Sequence, residues 1–336
     1  MCYQSPVVSV VIPMYNVVKF IARALDSVLA QTYEHYEVIC VDDGGTDNTL
    51  DIVNSYEDTR IRVVSQRNRG LSGARNTGIN EARGRYVALL DADDFWAPEK
   101  LELHVKHLNR NPDVGISYSP SLFVDEDGNE LGIGQFPKLT DIDAKHVFCR
   151  NPIGNGSAPV IRRSVFWEVC KEVHEKHSIR RTYFDENMRQ SEDIEFWLRV
   201  ALETPWKLEG IEQAVTFYTV NAGGLSANLE KQFAAWEYAV EKNRATNPQF
   251  FKRWEPLARA YQFRYLARRA VQSGSTTTAL RFMVKAFASN ANILVEEPKR
   301  TILTLGCTVL SALPRKSYLA LENYFMQRSS RIALGS

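Results

Sequence analysis

The sequence predicts an α/β fold: a Rossmann-like, mostly parallel sheet with helices on both faces, followed by a C-terminal helical appendage. Three observations carry this. Short apolar runs rich in β-branched residues alternate with helix-periodic segments from Val7 to Tyr118, the pattern of βαβ units whose strands are buried on both faces. Several of those runs stop abruptly at polar residues, Asn16, Asp43 and Asp91, which places acid and amide groups at the carboxyl ends of the strands, where ligands of such sheets bind. From Leu229 onward strand signals vanish and helical spacing takes over. At 336 residues the chain exceeds one ordinary domain, so the reading is an α/β domain over 1–228 and a basic helical region over 229–336.

Val7 to Ile12 is the first strand, closed by the turn Pro13-Met-Tyr-Asn16. Ile21 to Leu29 is a helix, with Ile21, Leu25, Val28 and Leu29 on one face. Glu37 to Val41 is a strand ending in Asp42-Asp-Gly-Gly-Thr-Asp47, and Thr49 to Tyr56 a helix. Ile61 to Val64 and then Ser72 to Ala82, with Ser72 as N-cap, form the next pair. Tyr86 to Leu90 is the fourth strand and delivers Asp91, Asp93 and Asp94; Pro98 to Leu108 is a helix. His104 and His107 on it are read as ordinary polar residues rather than ligands. Val114 to Tyr118 is a fifth strand, and Asp125 to Gly128 the turn of a hairpin.

Beyond that hairpin the breaker-rich stretch Asn151-Pro-Ile-Gly-Asn-Gly-Ser-Ala-Pro159 leads into a strand at Val160-Ile161 and a helix from Ser164. Ser191 to Leu202 is a helix that opens on acids, and Val215 to Val220 a last strand followed by Asn221-Ala-Gly-Gly-Leu-Ser226. In the appendage, Arg264 with Arg268 and Arg281 with Lys285 stack basic groups at i, i+4.

The composition, 44% hydrophobic and 24% charged, is that of a soluble globular protein. Five cysteines with no CxxC pair argue against a disulfide framework and a structural zinc site. A reducing cytoplasm fits them. Residues from Leu229 onward carry 17 Lys and Arg against 7 Asp and Glu, so the +1 of the whole chain hides a +10 tail on a −9 body. A basic tail on an acidic body suits an anionic surface, either membrane phosphate or nucleic acid. Val7 to Ile12 is too short for a signal-peptide core. Thr301 to Leu313 falls short of the roughly 20 apolar residues that span a bilayer, so a membrane contact would be peripheral.

Three carboxylates as close as Asp91, Asp93 and Asp94 repel one another unless a cation sits among them, and a hard divalent ion, Mg²⁺ or Mn²⁺, suits oxygen ligands. The other reading is that they only open the following helix. At the edge of a nucleotide-sized sheet, such an ion can neutralise a departing diphosphate while a separate carboxylate deprotonates an incoming hydroxyl. Glycosyl transfer and nucleotidyl transfer both need these parts.

Five motifs, in order, separate the two: Val8-Ser-Val-Val-Ile-Pro-Met-Tyr-Asn16, Val41-Asp-Asp-Gly-Gly-Thr-Asp-Asn-Thr49, Asn68-Arg-Gly-Leu-Ser-Gly-Ala-Arg-Asn-Thr-Gly78, Leu90-Asp-Ala-Asp-Asp94 and Ser191-Glu-Asp-Ile-Glu-Phe-Trp-Leu-Arg199. Together, over residues 7 to 226, they resemble the family 2 inverting glycosyltransferases of GT-A fold. The resemblance implies that Pro13, Tyr15 and Asn16 line a nucleotide pocket and that Asp43 accepts a hydrogen bond from the uracil of a UDP-sugar. It implies that Asn68 and Arg75 approach base and diphosphate, although Arg75 could instead tie its helix to Asp91. Asp91 and Ala92 would lie against the donor, and Asp93, with Asp91 and Asp94, would hold the metal. Asp193 would be the general base, with Glu192 beside it as second candidate. The implied acceptor is a glycan or lipid-linked glycan, at a cytoplasmic membrane face reached through the basic helices, with no nucleic acid partner. Two positions depart from the pattern. Asp-Asp-Gly-Gly stands for the usual Asp-Asp-Gly-Ser, and Phe217-Tyr-Thr-Val-Asn221 has Thr219 and Asn221 where many relatives place arginine and histidine. That histidine often helps hold metal or diphosphate, and Asn221 would offer a carbonyl oxygen in its place. A non-catalytic nucleotide-sugar-binding or assembly protein, or a sugar-phosphate nucleotidyltransferase, stays open as the alternative.

Overall fold

The computed structural model describes residues 5–174, 179–221 and 228–312. Cys2, the Ala222–Ser226 part of the last expected turn and the basic residues beyond 312 lie outside them. The chain divides into two compact units, one comprising the described residues to Asn228 with Ala234–Thr246, the other Leu229–Phe233 with the described residues from Asn247. One boundary between the units lies at 228/229 and another at 233/234, inside the helix that begins at Leu229.

In the first unit β1 (Val8–Met14) is buried along its whole length, as a central parallel strand must be. α1 (Ile21–Leu29) buries Ile21, Ala24, Leu25 and Val28, the i, i+3, i+4, i+7 stripe of an amphipathic helix. There follow β2 (Tyr36–Asp42), α2 (Thr49–Asn54), β3 (Ile61–Ser65), α3 (Gly70–Glu81), β4 (Tyr86–Leu89), β5 (Phe95–Trp96), α4 (Lys100–Arg110) and β6 (Val114–Tyr118). Apart from the two-residue β5, each lies within two residues of the span the sequence indicates.

The start of α3 corrects one detail. Ser72 does not cap the helix; it is buried in the first turn. Gly70, at φ +75°, turns the chain two residues earlier. The amides of Arg69 and Gly70 are then satisfied by the Asp43 carboxylate, at 2.8 Å each. A cap supplied from the end of a distant strand leaves no trace in local sequence.

The later part of the unit holds β7 (Ser121–Val124), β8 (Glu130–Gln135), α5 (Ala144–Cys149), β9 (Val160–Arg162), α6 (Arg163–Glu168), β10 (Lys171–His174), β11 (Ile179–Thr182), α7 (Glu192–Glu203), β12 (Lys207–Gly210) and β13 (Thr216–Thr219). β7 and β8 pair across the expected Asp125–Gly128 turn. The sequence reading lacks β5, α5, β10, β11 and β12, which are all six residues or shorter. All four residues of β10 are exposed, so no burial period marks it.

The main sheet runs β12-β6-β9-β4-β1-β2-β3. β1 pairs in parallel with β2 on one side and β4 on the other. Only β9 runs antiparallel, between β4 and β6. The chain thus builds outward through β2 and β3, then returns to β1's other flank, so strand order reverses beside β1 and opens a crevice at the carboxyl ends. A second sheet, β5-β13-β7-β8, brings the end of β13 to that edge. Behind it lies a fixed polar cluster: the Lys100 ammonium donates to the Ala158 carbonyl and Thr216 hydroxyl, and His104 and His107 both meet the Ser117 hydroxyl. Both histidines are thus held by hydrogen bonds within the fold.

α8 (Leu229–Arg244), α9 (Pro248–Gln272), α10 (Thr276–Ser289), α11 (Ile293–Glu296) and α12 (Pro298–Leu310) complete the chain. The second unit has its own core, in which Phe263, Leu266 and Ala270 of α9 meet Phe282, Met283 and Ala286 of α10. Gly274, at φ +76°, makes the turn between these helices. Arg264 is not part of an exposed basic face. It is buried, donating to the Thr301 hydroxyl at 2.8 Å and pairing with Glu297 at 2.5 Å. Helical spacing alone cannot see that α12 covers it.

Candidate active site

β4 ends one residue before Leu90, and the acids beyond it point in different directions. Asp91 is half-buried and accepts from Arg75 Nη2 at 2.6 Å, while its own N–H donates to the Ser157 hydroxyl at 3.0 Å. Ala92 is buried in the hydrophobic core, so it can offer a ligand only its backbone. Asp93 accepts from Asn221 Nδ2 at 3.0 Å, and its carbonyl accepts from Arg23 Nη2 at 3.0 Å and from the Thr219 hydroxyl. Asp94 is turned inward. One of its oxygens accepts from the Thr219 amide at 2.8 Å, the other from the Ser157 hydroxyl at 2.6 Å.

The three acids thus do not face one point in this structure. Among the described residues no three His, Cys, Asp or Glu side chains are disposed to hold a metal. Asp94 is committed to joining the β4 turn to β13 and to the 151–159 loop. Asp93 remains. Burial and then the Asp91 charge raise its pKa to about 6, against the pull of Arg23 and the Asn221 bond. Asn221 Oδ1, buried beside it, has no hydrogen-bond partner among the described residues. A buried amide oxygen left unpaired next to a carboxylate is costly, and it fits a hard cation with oxygen ligands. Burial, with Asp93 and Asp91, holds Asp94 well above the usual carboxylate range.

Arg75 projects from α3 into the middle of the site, buried. Its guanidinium reaches Asp91 Oδ1 and Glu192 Oε1, each at 2.6 Å, and lies over the Phe184 ring. It does tie its helix to Asp91, and it also joins the β4 turn to the start of α7. The cation answers two carboxylates that could not otherwise sit together in a buried place. Gly156 makes room for it, because a Cβ there would stand 2.3 Å from Arg75 Nη2 and 3.1 Å from Asp91 Oδ2.

α7 opens after Ser191, at φ +61°, and carries Glu192, Asp193 and Glu195 in its first turn. The three have different fates. Glu192 is buried against Arg75. Glu195 pairs with Arg199 and with Lys242 inside the unit, at 3.1 Å each. Asp193 accepts only from the amide of Ile194, at 2.8 Å, among the described residues. Burial and the neighbouring Glu192 charge raise its pKa to about 7, more than Arg75 lowers it. A carboxylate with a free oxygen and a pKa near neutrality is suited to taking a proton from a hydroxyl.

The carboxyl ends of β1 and β2 form a cavity of about 200 Å³ lined by Asn16, Asp42, Gly45, Thr46 and Thr49 among others. Asn16, at φ +52°, accepts from the Thr46 amide at 2.8 Å, a left-handed turn that asparagine tolerates. Pro13 is buried within β1 and Tyr15 is 51% exposed; neither lines this cavity. Asn68 is exposed beside Gly44. Asp43 also shapes the fold. It is buried, and besides the Arg69 and Gly70 amides it accepts from Gln66 Nε2 at 2.6 Å. Three bonds on one carboxylate spend most of its acceptor capacity on shaping the 66–70 loop.

Arg23, Gly156 and Ser157 carry no functional signal in the sequence. Gly156-Ser157 lie in the breaker-rich stretch, a signal of special backbone without a role attached. Arg23 sits on α1 and reaches Asp93, Thr219 and the Phe95 ring, contacts no local pattern encodes.

Residues 9–170 match the glycosyl transferase family 2 profile. The UDP-Glc:alpha-D-GlcNAc-diphosphoundecaprenol beta-1,3-glucosyltransferase WfaP of Escherichia coli is 31% identical over 226 residues, 67% of this chain and 82% of WfaP. The chain belongs to glycosyltransferase family 2. This family 2 glycosyltransferase is also similar to the chondroitin synthase of Escherichia coli, 37% identical over 131 residues, 38% of this chain and 19% of that enzyme. Among solved structures, S. aureus TarS 1-349 in complex with UDP-GlcNAc superposes with a TM-score of 0.55 at 19% identity, covering 92% of this chain and 82% of that one. The mannosyltransferase PcManGT of Pyrobaculum calidifontis, in complex with GDP-Man and Mn2+, gives 0.50 at 20% identity, covering 92% and 87%. These neighbours establish the GT-A fold. Membership makes the chain an enzyme of glycosyl transfer and sets aside the binding-protein and nucleotidyltransferase readings.

Proposed function

We propose that this glycosyltransferase moves a sugar from a UDP-sugar to a hydroxyl of a glycan or lipid-linked glycan, with inversion, in polysaccharide assembly at the cytoplasmic face of a membrane. The observation that carries the reading is Arg75. One guanidinium binds the acid at the end of β4 and the acid at the start of α7, and Asp193, one residue on, keeps a free oxygen and a pKa near 7.

In this reading Pro13, Tyr15, Asn16 and Asn68 border the base pocket, and Asp43 shapes its far wall by holding the 66–70 loop. Asp91 and the Ala92 backbone lie against the donor sugar and diphosphate. Asp193 takes the proton of the acceptor hydroxyl as its oxygen attacks the anomeric carbon. The new C–O bond forms on the face opposite the departing nucleoside diphosphate, whose bond to that carbon breaks with the electron pair. One displacement inverts the centre and needs no covalent intermediate. Glu192, held by Arg75, orients the start of α7 and keeps Asp193 raised. Mg²⁺ or Mn²⁺, held by Asp93 with Asp91 and the Asn221 amide oxygen, would supply neutralisation of the diphosphate charge.

The uridine choice draws on WfaP, named for UDP-Glc, and on TarS, solved with UDP-GlcNAc. The lipid-linked acceptor draws on the diphosphoundecaprenol substrate in WfaP's name. Among the described residues no helix is long and apolar enough to cross a membrane, and the basic C-terminal helices would meet its anionic surface peripherally. A panel of UDP-, GDP- and ADP-sugars, assayed for binding and slow hydrolysis with Mn²⁺ and with chelator, tests donor and metal together. Preferred binding of a GDP- or ADP-sugar overturns the uridine assignment, and turnover unchanged by chelator overturns the metal.

A further inference from the structure

α12 is polarised the opposite way from an ordinary bundle helix. It buries Thr301, Thr304 and Thr308, spaced i, i+3, i+7 on one face. Three of its aliphatic residues face out, Ile302 at 60% exposure, Leu303 at 66% and Val309 at 57%, while Leu305 packs on the core of the unit. The inversion is tolerated because each buried hydroxyl is satisfied. Thr301 accepts from Arg264 and donates to the Ile293 carbonyl at 3.0 Å, while Thr304 and Thr308 donate to the carbonyls of Arg300 and Thr304, each at 2.8 Å. A threonine bonded back to its own helix presents its methyl for packing. The adjoining α11 adds Val295, 80% exposed. Single exposed aliphatics are normal, but an outward stripe on a helix whose polar side is buried marks a contact surface.

Charge selects the partner. Every described acid of this unit is engaged internally: Glu230 with Arg281, Glu255 with Arg259, Glu297 with Arg264, and Glu296 with the Tyr261 hydroxyl. Lys285 and Lys299 are exposed and meet no carboxylate among the described residues. Lys299 stands one turn before Ile302 and Leu303 on the same face of α12. The helix leads into residues 313–336, which carry four Lys and Arg against one Glu. The described residues of this unit thus carry 11 Lys and Arg against four Glu, three of them paired with arginine, the complement of a phosphate-bearing surface.

We infer that the outward face of α12 docks on an anionic lipid bilayer, with Ile302, Leu303 and Val309 entering the boundary between headgroups and acyl chains and Lys299 lying on lipid phosphate. This rests on the peripheral membrane reading above. It moves the contact from basic pairs along α9 and α10 to an apolar face that sequence reading took only as too short to span.

The test is co-sedimentation of the full chain with vesicles of equal parts phosphatidylglycerol and phosphatidylcholine. The wild type binds, and the triple variant Ile302→Asn, Leu303→Asn, Val309→Thr binds at least about tenfold more weakly, with unchanged circular dichroism because the three side chains are exposed. Lys285→Gln with Lys299→Gln weakens binding less and mainly at low salt. Loss with the lysine variant and none with the apolar variant leaves a membrane protein but overturns this docking face. A wild type that does not bind vesicles overturns both readings. A lipid-free dimer in sedimentation velocity that the apolar variant dissociates, without vesicle binding, overturns lipid in favour of a second copy of the chain.

Discussion

Replacing Asp193 with Asn should abolish sugar transfer and at the same time stabilise the protein, in a pH-dependent way. The Asp193 pKa stands at about 7 against an ordinary 3.8, so the fold holds roughly 4 kcal/mol against the ionised form above pH 7. Asp193 is not sealed from solvent. Keeping about half of that figure leaves on the order of 2 kcal/mol, about 4–8 °C in Tm for a unit of this size. A group whose folded pKa is raised keeps its proton in the folded state after the unfolded chain has lost it. Its contribution to stability therefore falls as pH rises from about 4 to about 7. Asparagine has no such proton. The Tm advantage of Asp193→Asn should be near zero at pH 4 and full at pH 8, measured by scanning calorimetry across that range. In the wild type, kcat/KM should rise with pH through about 7 as the base ionises, while UDP binding by the variant stays near the wild-type value. Retained turnover sinks the base assignment, and a Tm difference independent of pH sinks the electrostatic reasoning behind it.

Other outcomes follow from the same geometry. Arg75→Met leaves Asp91 and Glu192 facing each other unpaired and should cost about 3–5 kcal/mol in denaturant unfolding; a loss below 1 kcal/mol would mean that the two acids are solvated independently. Asp93→Asn should weaken Mn²⁺ binding at least about tenfold by calorimetry, and Asn221→Leu by about the same factor. Asp94→Asn should leave Mn²⁺ affinity nearly unchanged, because both Asp94 oxygens face the fold. Wild-type Mn²⁺ affinity should fall below about pH 6, where the raised Asp93 binds a proton in competition with the ion. Gly156→Ala puts a methyl 2.3 Å from a guanidinium held at both ends and should cost about 1–3 kcal/mol together with most of the transfer rate; a neutral result would show that Arg75 can move aside.

The sequence by itself determined the α/β core and the chemistry brought to its edge. Strands buried on both faces must be continuously apolar, so β1, β2, β4 and β6 announce themselves, and a strand that ends in acids delivers those acids to the carboxyl end wherever the sheet forms. The period of α1, with Ile21, Leu25 and Val28 on one face, is equally local. What only the tertiary structure decided is the division of labour among chemically identical groups. Asp91, Asp93 and Asp94 are indistinguishable as letters, yet one binds Arg75, one faces Asn221 and one is spent on Ser157 and Thr219. Asp43 reads as a base-binding acid, and the fold also has it accept from the amides of Arg69 and Gly70. Glu192 and Asp193 differ only in which one Arg75 reaches. The same holds in the helical unit, where Arg264 is buried beneath α12 while Ile302, Leu303 and Val309 of α12 are left outside. Whether a polar or apolar side chain is satisfied depends on partners from elements far away in sequence, here 16 to 128 residues distant. Hydrogen-bond capacity is finite, and only the assembled fold determines how it is spent.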